Sequence, residues 1–278
     1  MSEFPPLPPW RLVMSSSPPS SPFFSLPLEE QVVLVSGASR GVGAALAKAF
    51  VREGARVVLN WYRSEDAVRA LAAQLGEKAL PVQADVRDAE AVTRMVEAAR
   101  AHFGAPITTV VSNALVDYRF DPVARATADT ITWEDYHAQL EGSVRAALAL
   151  VQATRPGMRE AGGGRFVAIG TNLVHNPVVP YHDYTTGKAA LLGFVRNMAA
   201  ELGPEGITVN MVSGGLLDRT DASAVTSDEV FDLIRQSTPL RSVVRPEDFA
   251  DAVLLLASPW ARAITGQDLV VDGGLVMR

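Results

Sequence analysis

Val32-Val33-Leu34-Val35-Ser36-Gly37-Ala38-Ser39-Arg40-Gly41-Val42-Gly43 is the stretch whose reading decides the fold. Four aliphatic residues without a polar break read as a strand buried on both faces. Three glycines follow directly, and the segment after them is rich in Ala and Leu, as an opening helix would be. Strand, turn and helix together make a βα unit. In such a unit Gly37 permits the tight turn, Gly41 lets backbone approach a pyrophosphate, and Gly43 lets helix and strand pack closely. The free N–H groups of the first helical turn attract phosphate. Ser39, Arg40 and Val42 complete this candidate nucleotide loop.

From Gln31 onward, short apolar runs alternate with longer segments of helical period. Strands are predicted at Val32 to Ser36, Arg56 to Asn60, Leu80 to Ala84, Thr108 to Ser112, Arg165 to Gly170, Thr208 to Val212 and Asp268 to Val271. Helices are predicted at about 41 to 53, 64 to 75, 88 to 102, 132 to 160, 181 to 203 and 246 to 257. Right-handed crossovers then give one doubly wound, Rossmann-type α/β domain over residues 31–278, with a mostly or wholly parallel seven-stranded sheet flanked by helices. Residues 214 to 240 are the least regular and read as a substrate lid or an ordinary surface loop. Residues 1–30 hold eight of the 18 Pro and a Ser-rich patch, so a disordered tail is expected, and Met14 is a second candidate start.

Composition narrows the partners. A formal charge of −6 argues against nucleic acid, whose phosphates demand a basic face. The partner is expected to be a small molecule. Cys is absent, which excludes disulfides, thiolate catalysis and Cys-based metal sites, and the four His have no zinc-type spacing. No apolar run reaches the roughly 18 residues of a membrane span, and no secretory pattern precedes the Pro breaks. A cytoplasmic chain without a metal is expected.

The second strand addresses the choice of cofactor. A site for NAD usually carries an acidic residue there to accept from the ribose 2′-hydroxyl. Here Leu59-Asn60-Trp61-Tyr62-Arg63-Ser64 has no carboxylate before Glu65. Arg40 and Arg63 instead suit a 2′-phosphate, whose geometry a guanidinium matches, so NADP(H) is favoured. Two roles are open to Asp85, in Ala84-Asp85-Val86: accepting from an adenine amino group, or capping the next helix.

Chemistry points to a third stretch. Among the five Tyr, only Tyr184 has a Lys four residues later, placing phenol and ammonium one helical turn apart. An ammonium stabilises phenolate and so lowers a phenol pKa from about 10 toward neutrality. Thr171 ends the apolar run Arg165 to Gly170, so its hydroxyl emerges at a strand's carboxyl end, where ligands bind in open α/β sheets. Leu173, His175 and Tyr181 lie between Thr171 and Tyr184 and are candidate substrate contacts; His175 and His182 are equally readable as exposed loop residues.

Together these residues resemble the short-chain dehydrogenase/reductase family, from about Gln31 to the C-terminus. The family's Gly-x-x-x-Gly-x-Gly appears as Gly37, Gly41 and Gly43, its Asn-Asn-Ala-Gly as Ser112-Asn113-Ala114-Leu115, and its Tyr-x-x-x-Lys as Tyr184 and Lys188. The family's Ser, thirteen residues before the Tyr, is Thr171 here. The closing Ile264 to Gly274 is also similar, and the overall pattern is most like 3-oxoacyl-carrier-protein reductases and related carbonyl reductases. The resemblance implies hydride transfer between a nicotinamide and a carbonyl carbon. Tyr184 is then the acid, Lys188 its tuner and a holder of the ribose hydroxyls, and Thr171 the donor to the carbonyl oxygen. Asn113, Ala114, Asp85, Val86 and Gly214 sit beside the cofactor. The chain is expected to be a homo-oligomer, dimer or tetramer, with Trp133 and Val144 to Ala153 readable as interface or as core.

Three departures from the family stand out. Glu141 occupies what reads as the place of a relay Asn, where its carboxylate either binds the same water or pairs with Lys188. Ser213-Gly214 replaces Pro-Gly, and Leu115 replaces Gly. Two alternatives stay in view: an NAD-dependent secondary-alcohol dehydrogenase and, on the departures at Thr171, Glu141 and Ser213, a catalytically silent NADP-binding sensor or structural protein.

Overall fold

The computed structural model describes residues 23–115, 118, 120–218, 220 and 223–277. Seven strands, β1 (Val32–Val35), β2 (Arg56–Trp61), β3 (Ala79–Gln83), β4 (Thr109–Ser112), β5 (Gly164–Thr171), β6 (Ile207–Gly214) and β7 (Asp268–Val271), form one sheet in the order β3-β2-β1-β4-β5-β6-β7. Every pairing is parallel, as the apolar strand runs predicted. Both faces are covered by helices. Because side chains alternate along a strand, Val32 and Leu34 of β1 enter one core while Val33 and Val35 enter the other. The first core is closed by α3 (Ala89–Phe103), α5 (Ala146–Glu160) and α6 (His182–Leu202); the second by α1 (Gly41–Arg52), α2 (Glu65–Leu75) and α8 (Pro246–Ala257). The strand order runs outward in opposite directions from β1 and β4, which opens a crevice at their carboxyl ends.

Three expectations change. The helix predicted over 132 to 160 is α4 (Trp133–Leu140), a π-turn (Glu141–Arg145) and α5. A π-turn inserts a residue into the helical ladder, which apolar periodicity over this span does not reveal. The stretch 214 to 240 contains a further helix, α7 (Asp228–Ser237), which buries Phe231. Its apolar residues Val230, Phe231, Leu233 and Ile234 recur at helical spacing, a usable signal that was passed over because the flanking residues are polar or Gly and Pro.

The tail also ends earlier than expected. Residues 23–30 pack against the amino ends of β5 and β6, where the buried Arg165 guanidinium donates to the Phe24 carbonyl (2.6 Å) and lies 5.1 Å from the Phe24 ring centroid. Burial pushes the Arg165 pKa down to about 10. Gln31 donates to the Leu26 carbonyl (2.8 Å), tying the segment to the start of β1. The remainder of the Pro- and Ser-rich tail, Met14 included, lies outside the described residues.

Candidate active site

The glycine loop occupies the crevice between β1 and β4. Gly37 has φ +65°, and a Cβ there would stand 2.9 Å from the Ala114 Cα. At Gly43 a Cβ would stand 2.0 Å from the Gly37 carbonyl oxygen and 2.8 Å from Asn113 Nδ2, so the turn and the helix start close only without side chains. Gly41, with φ +53°, has no neighbour within 4 Å of its absent Cβ, so the loop is open at that point. Polar bonds fix this shape. Ser36 Oγ accepts from the backbone N–H of Asn113 (2.8 Å) and Ala114 (3.0 Å), and Asn113 Nδ2 donates to the carbonyls of Ser36 (2.9 Å) and Gly37 (3.2 Å). Asn60, buried near the end of β2, accepts from Gly37 N–H (3.2 Å) and donates to the Ala84 carbonyl (3.0 Å). Ser36 and Asn60 escaped the sequence reading, because a lone Ser or Asn in a strand carries no local motif.

Arginines gather at the carboxyl ends of β2 and β3. Arg40 precedes α1 in extended conformation, and Arg63 lies over the Tyr62 ring at 5.6 Å; both are exposed. Asp85 is gripped by Arg87 through Nε (3.0 Å) and Nη2 (2.7 Å), and this pairing holds its carboxyl below the ordinary range, with Arg63 adding to the effect. Of the two roles open to Asp85, helix capping falls to Asp88, which accepts from the N–H groups of Glu90 and Ala91. The Val86 side chain is buried in the first core, while Val42 is partly buried against the second.

At the other end, Thr171 closes β5 and Tyr184 and Lys188 lie in the first turns of α6. The Thr171 hydroxyl accepts from Leu173 N–H (3.3 Å) and acts on the Tyr184 hydroxyl, favouring its ionised form. Lys188 Nζ donates to the Ile169 carbonyl (2.7 Å) and lies 5.9 Å from the Tyr184 ring centroid. Both side chains are buried, Tyr184 at 8% exposure and Lys188 at 5%. Burial, not the ammonium, governs the phenol: it pushes Tyr184 up to about 12, against a downward pull from the Thr171 hydroxyl, and pushes Lys188 down to about 8. The expectation of a phenol brought toward neutrality by Lys188 is therefore corrected for the protein without ligand. The phenol carries its proton.

Several sequence candidates point elsewhere. Glu141, on the π-turn, bonds to Arg145 one turn on (2.5 Å) and acts on Arg87 across the groove; Lys188 is not its partner. His175 is turned to Asp268 of β7 (Nε2 to Oδ2, 2.7 Å), an attachment within the fold rather than a substrate contact. Gly214 pairs with Thr171 across β5 and β6, and its missing Cβ faces Phe249 at 3.1 Å. Beside it, Ser213 is fully buried and its hydroxyl has no partner among the described residues. Gly187 lets α4 approach α6, since a Cβ there would stand 3.1 Å from Gln139.

Tyr184 is walled by aromatic rings. Tyr118 stacks on it (5.0 Å, 26° between planes) and Phe120 meets it edge-on (4.9 Å, 87°). Tyr181, the one predicted substrate contact brought into this cluster, is perpendicular to Tyr118 (5.9 Å, 88°) and to Phe120 (5.5 Å, 85°). Tyr118 and Phe120 were not anticipated, although two aromatics at alternate positions soon after Asn113-Ala114 were a usable signal.

Comparison with known proteins agrees with this geometry. A family model described as enoyl-(acyl carrier protein) reductase matches residues 37–276. The dehydrogenase/reductase SDR family member 4 of Sus scrofa is 32% identical over 256 residues, covering 91% of this chain and 89% of that protein. Two solved structures superpose well. A blue fluorescent protein from a metagenomic library, in complex with NADPH, has a TM-score of 0.79 at 31% identity, covering 91% of this chain and 100% of its own. The 3-ketoacyl-(acyl-carrier-protein) reductase of Brucella melitensis, complexed with NADH, has a TM-score of 0.80 at 28% identity, covering 90% and 100%.

Proposed function

The chain belongs to the short-chain dehydrogenase/reductase family, and on that premise we propose that it is an NADP(H)-dependent reductase of carbonyl compounds, ketones or 3-oxoacyl thioesters. The observation that carries this reading is the meeting of buried Thr171, at the end of β5, with Tyr184 and Lys188 of α6, the Lys188 Nζ lying 5.9 Å from the Tyr184 ring centroid.

The residues fit a dinucleotide, because Gly37 and Gly43 are closed off by neighbouring atoms while Gly41 faces open space at a helix start. Bound there, the reduced nicotinamide supplies a hydride to the carbonyl carbon. Arg40 and Arg63 receive the 2′-phosphate, and Asp85, held in place by Arg87, accepts from the adenine amino group. Thr171 donates a hydrogen bond to the substrate oxygen as negative charge grows on it. Tyr184, neutral at physiological pH because burial raises its pKa, gives that oxygen its proton. Lys188 holds the ribose hydroxyls and takes part in returning a proton to Tyr184. A phenol that rests in its acid form suits reduction better than alcohol oxidation. Assembly as a dimer or tetramer goes with this reading.

The test is consumption of NADPH and of NADH over a panel of ketones, quinones and 3-oxoacyl thioesters, by wild type and by Tyr184→Phe. NADPH turnover that depends on Tyr184 supports the reading, and equal slow rates in both proteins defeat it. Replacing Arg40 and Arg63 by Ala should raise KM for NADPH about tenfold or more while hardly moving that for NADH. A wild-type preference for NADH overturns the cofactor assignment.

A further inference from the structure

The aromatic wall is chemically one-sided. Tyr118, Phe120, Tyr181 and Tyr184 pack through one stacked contact and otherwise edge-on, with ring centroids between 4.9 and 5.9 Å apart. This is the arrangement that the ring quadrupole favours, and a further flat ring joins it on the same terms. The polar groups around the wall are already engaged. The Tyr118 hydroxyl donates to Asp183 (3.3 Å), Asp121 accepts from the N–H groups of Val123 and Ala124, and Arg125 donates to the carbonyls of Ala126 and Pro180. Burial and Asp183 together push the Tyr118 phenol up, so it stays a neutral donor. Asp121 and Arg125 act on Tyr181 in opposite directions, while Asp183 acts on Tyr118, so two carboxylates stand against one guanidinium along the border of the wall. Such a border opposes a phosphorylated arm or an acidic carrier.

We propose that Tyr118, Phe120 and Tyr181 determine specificity, selecting a carbonyl attached to a flat aromatic or conjugated ring system over an acyl thioester carried on a phosphorylated arm. The inference rests on the reductase reading and narrows it. A planar substrate adds a ring contact on the side of Tyr118 that does not stack on Tyr184, a contact that an aliphatic chain cannot match.

The experiment compares kcat/KM with NADPH for a bicyclic aromatic ketone (1-tetralone) and for acetoacetyl-CoA, in wild type, Tyr118→Leu, Tyr118→Phe and Tyr184→Phe. Wild type is expected to favour the aromatic ketone by about tenfold or more. Tyr118→Leu should lose that preference, mainly through KM for the ketone, with the affinity for NADPH unchanged. Tyr118→Phe should keep it, because the ring and not the hydroxyl recognises the substrate. A wild-type preference for acetoacetyl-CoA, an equal loss on both substrates in Tyr118→Leu, or a Tyr118→Phe protein as impaired as Tyr118→Leu overturns the inference. If the thioester is preferred and turnover still needs Tyr184, only this inference fails; if turnover is absent or independent of Tyr184, the reductase reading fails with it.

Discussion

The two ends of the crevice are built on different physical terms. At the nucleotide end, backbone conformation does the positioning: Gly37 and Gly43 close a turn that any side chain would block, and Ser36, Asn60 and Asn113 hold it from neighbouring strands. At the other end, side chains from separate segments converge, with Thr171 from β5, Tyr184 and Lys188 from α6, and Tyr118 and Phe120 from the loop after β4. The first arrangement is fixed by backbone contacts between adjacent strands. The second depends on how α4, the π-turn and α6 pack. Binding of nucleotide and turnover should therefore separate under mutation.

Removing the proposed acid gives the largest separation. Tyr184→Phe is expected to lower kcat about a thousandfold, as loss of a general acid does, while NADPH affinity by fluorescence titration stays within about threefold. A comparable fall in affinity would mean that the two ends are not independent. The converse change is Gly43→Ala, whose methyl meets the Gly37 carbonyl oxygen at 2.0 Å without relaxation. It should weaken NADPH binding about a hundredfold, with a fold intact by circular dichroism. Unchanged affinity would show that the loop can shift without penalty.

Lys188 sharpens the contrast, because function and stability pull against each other there. Its pKa falls from 10.5 to about 8 on burial, so the unfolded chain binds more protons between those values. The burial penalty is fully present below pH 8 and is relieved as pH rises toward 10.5. Lys188→Met should therefore raise Tm at pH 7 by several degrees, on the order of 1–3 kcal/mol, while reduction is lost. The gain should shrink above pH 8, and a Tm that falls at pH 7 would contradict the account. In wild type, kcat for reduction should decline as pH passes about 8, when Lys188 loses its charge, with no further loss from Tyr184 until about 12. The smallest effect is expected at Ser213, whose buried hydroxyl lacks a partner among the described residues. Ser213→Ala should stabilise the protein by about 1 kcal/mol, read from urea unfolding, and leave kcat alone.

Much of this plan was legible in the chain. The strand runs and glycine spacing predicted the parallel sheet and the loop, because burial on both faces and the absence of a Cβ are properties of single residues. Thr171, Tyr184 and Lys188 were legible too, through spacing along one strand and one helix. Glu141 and His175 were not, because a carboxylate or an imidazole takes whichever partner packing brings near. For Glu141 that is Arg145, and for His175 it is Asp268. The π-turn was missed because it is a single extra residue in a helical ladder, and α7, whose apolar residues do keep helical spacing, because it is short and set in an otherwise irregular stretch.

By itself, then, the sequence determined the fold class, the glycine loop and the chemical types at the crevice, since these follow from local periodicity and backbone freedom. Only the tertiary structure decided the ionisation of Tyr184 and Lys188 and the ring wall around them. Burial sets those pKa values, and burial is a property of what surrounds a side chain after the distant segments have met.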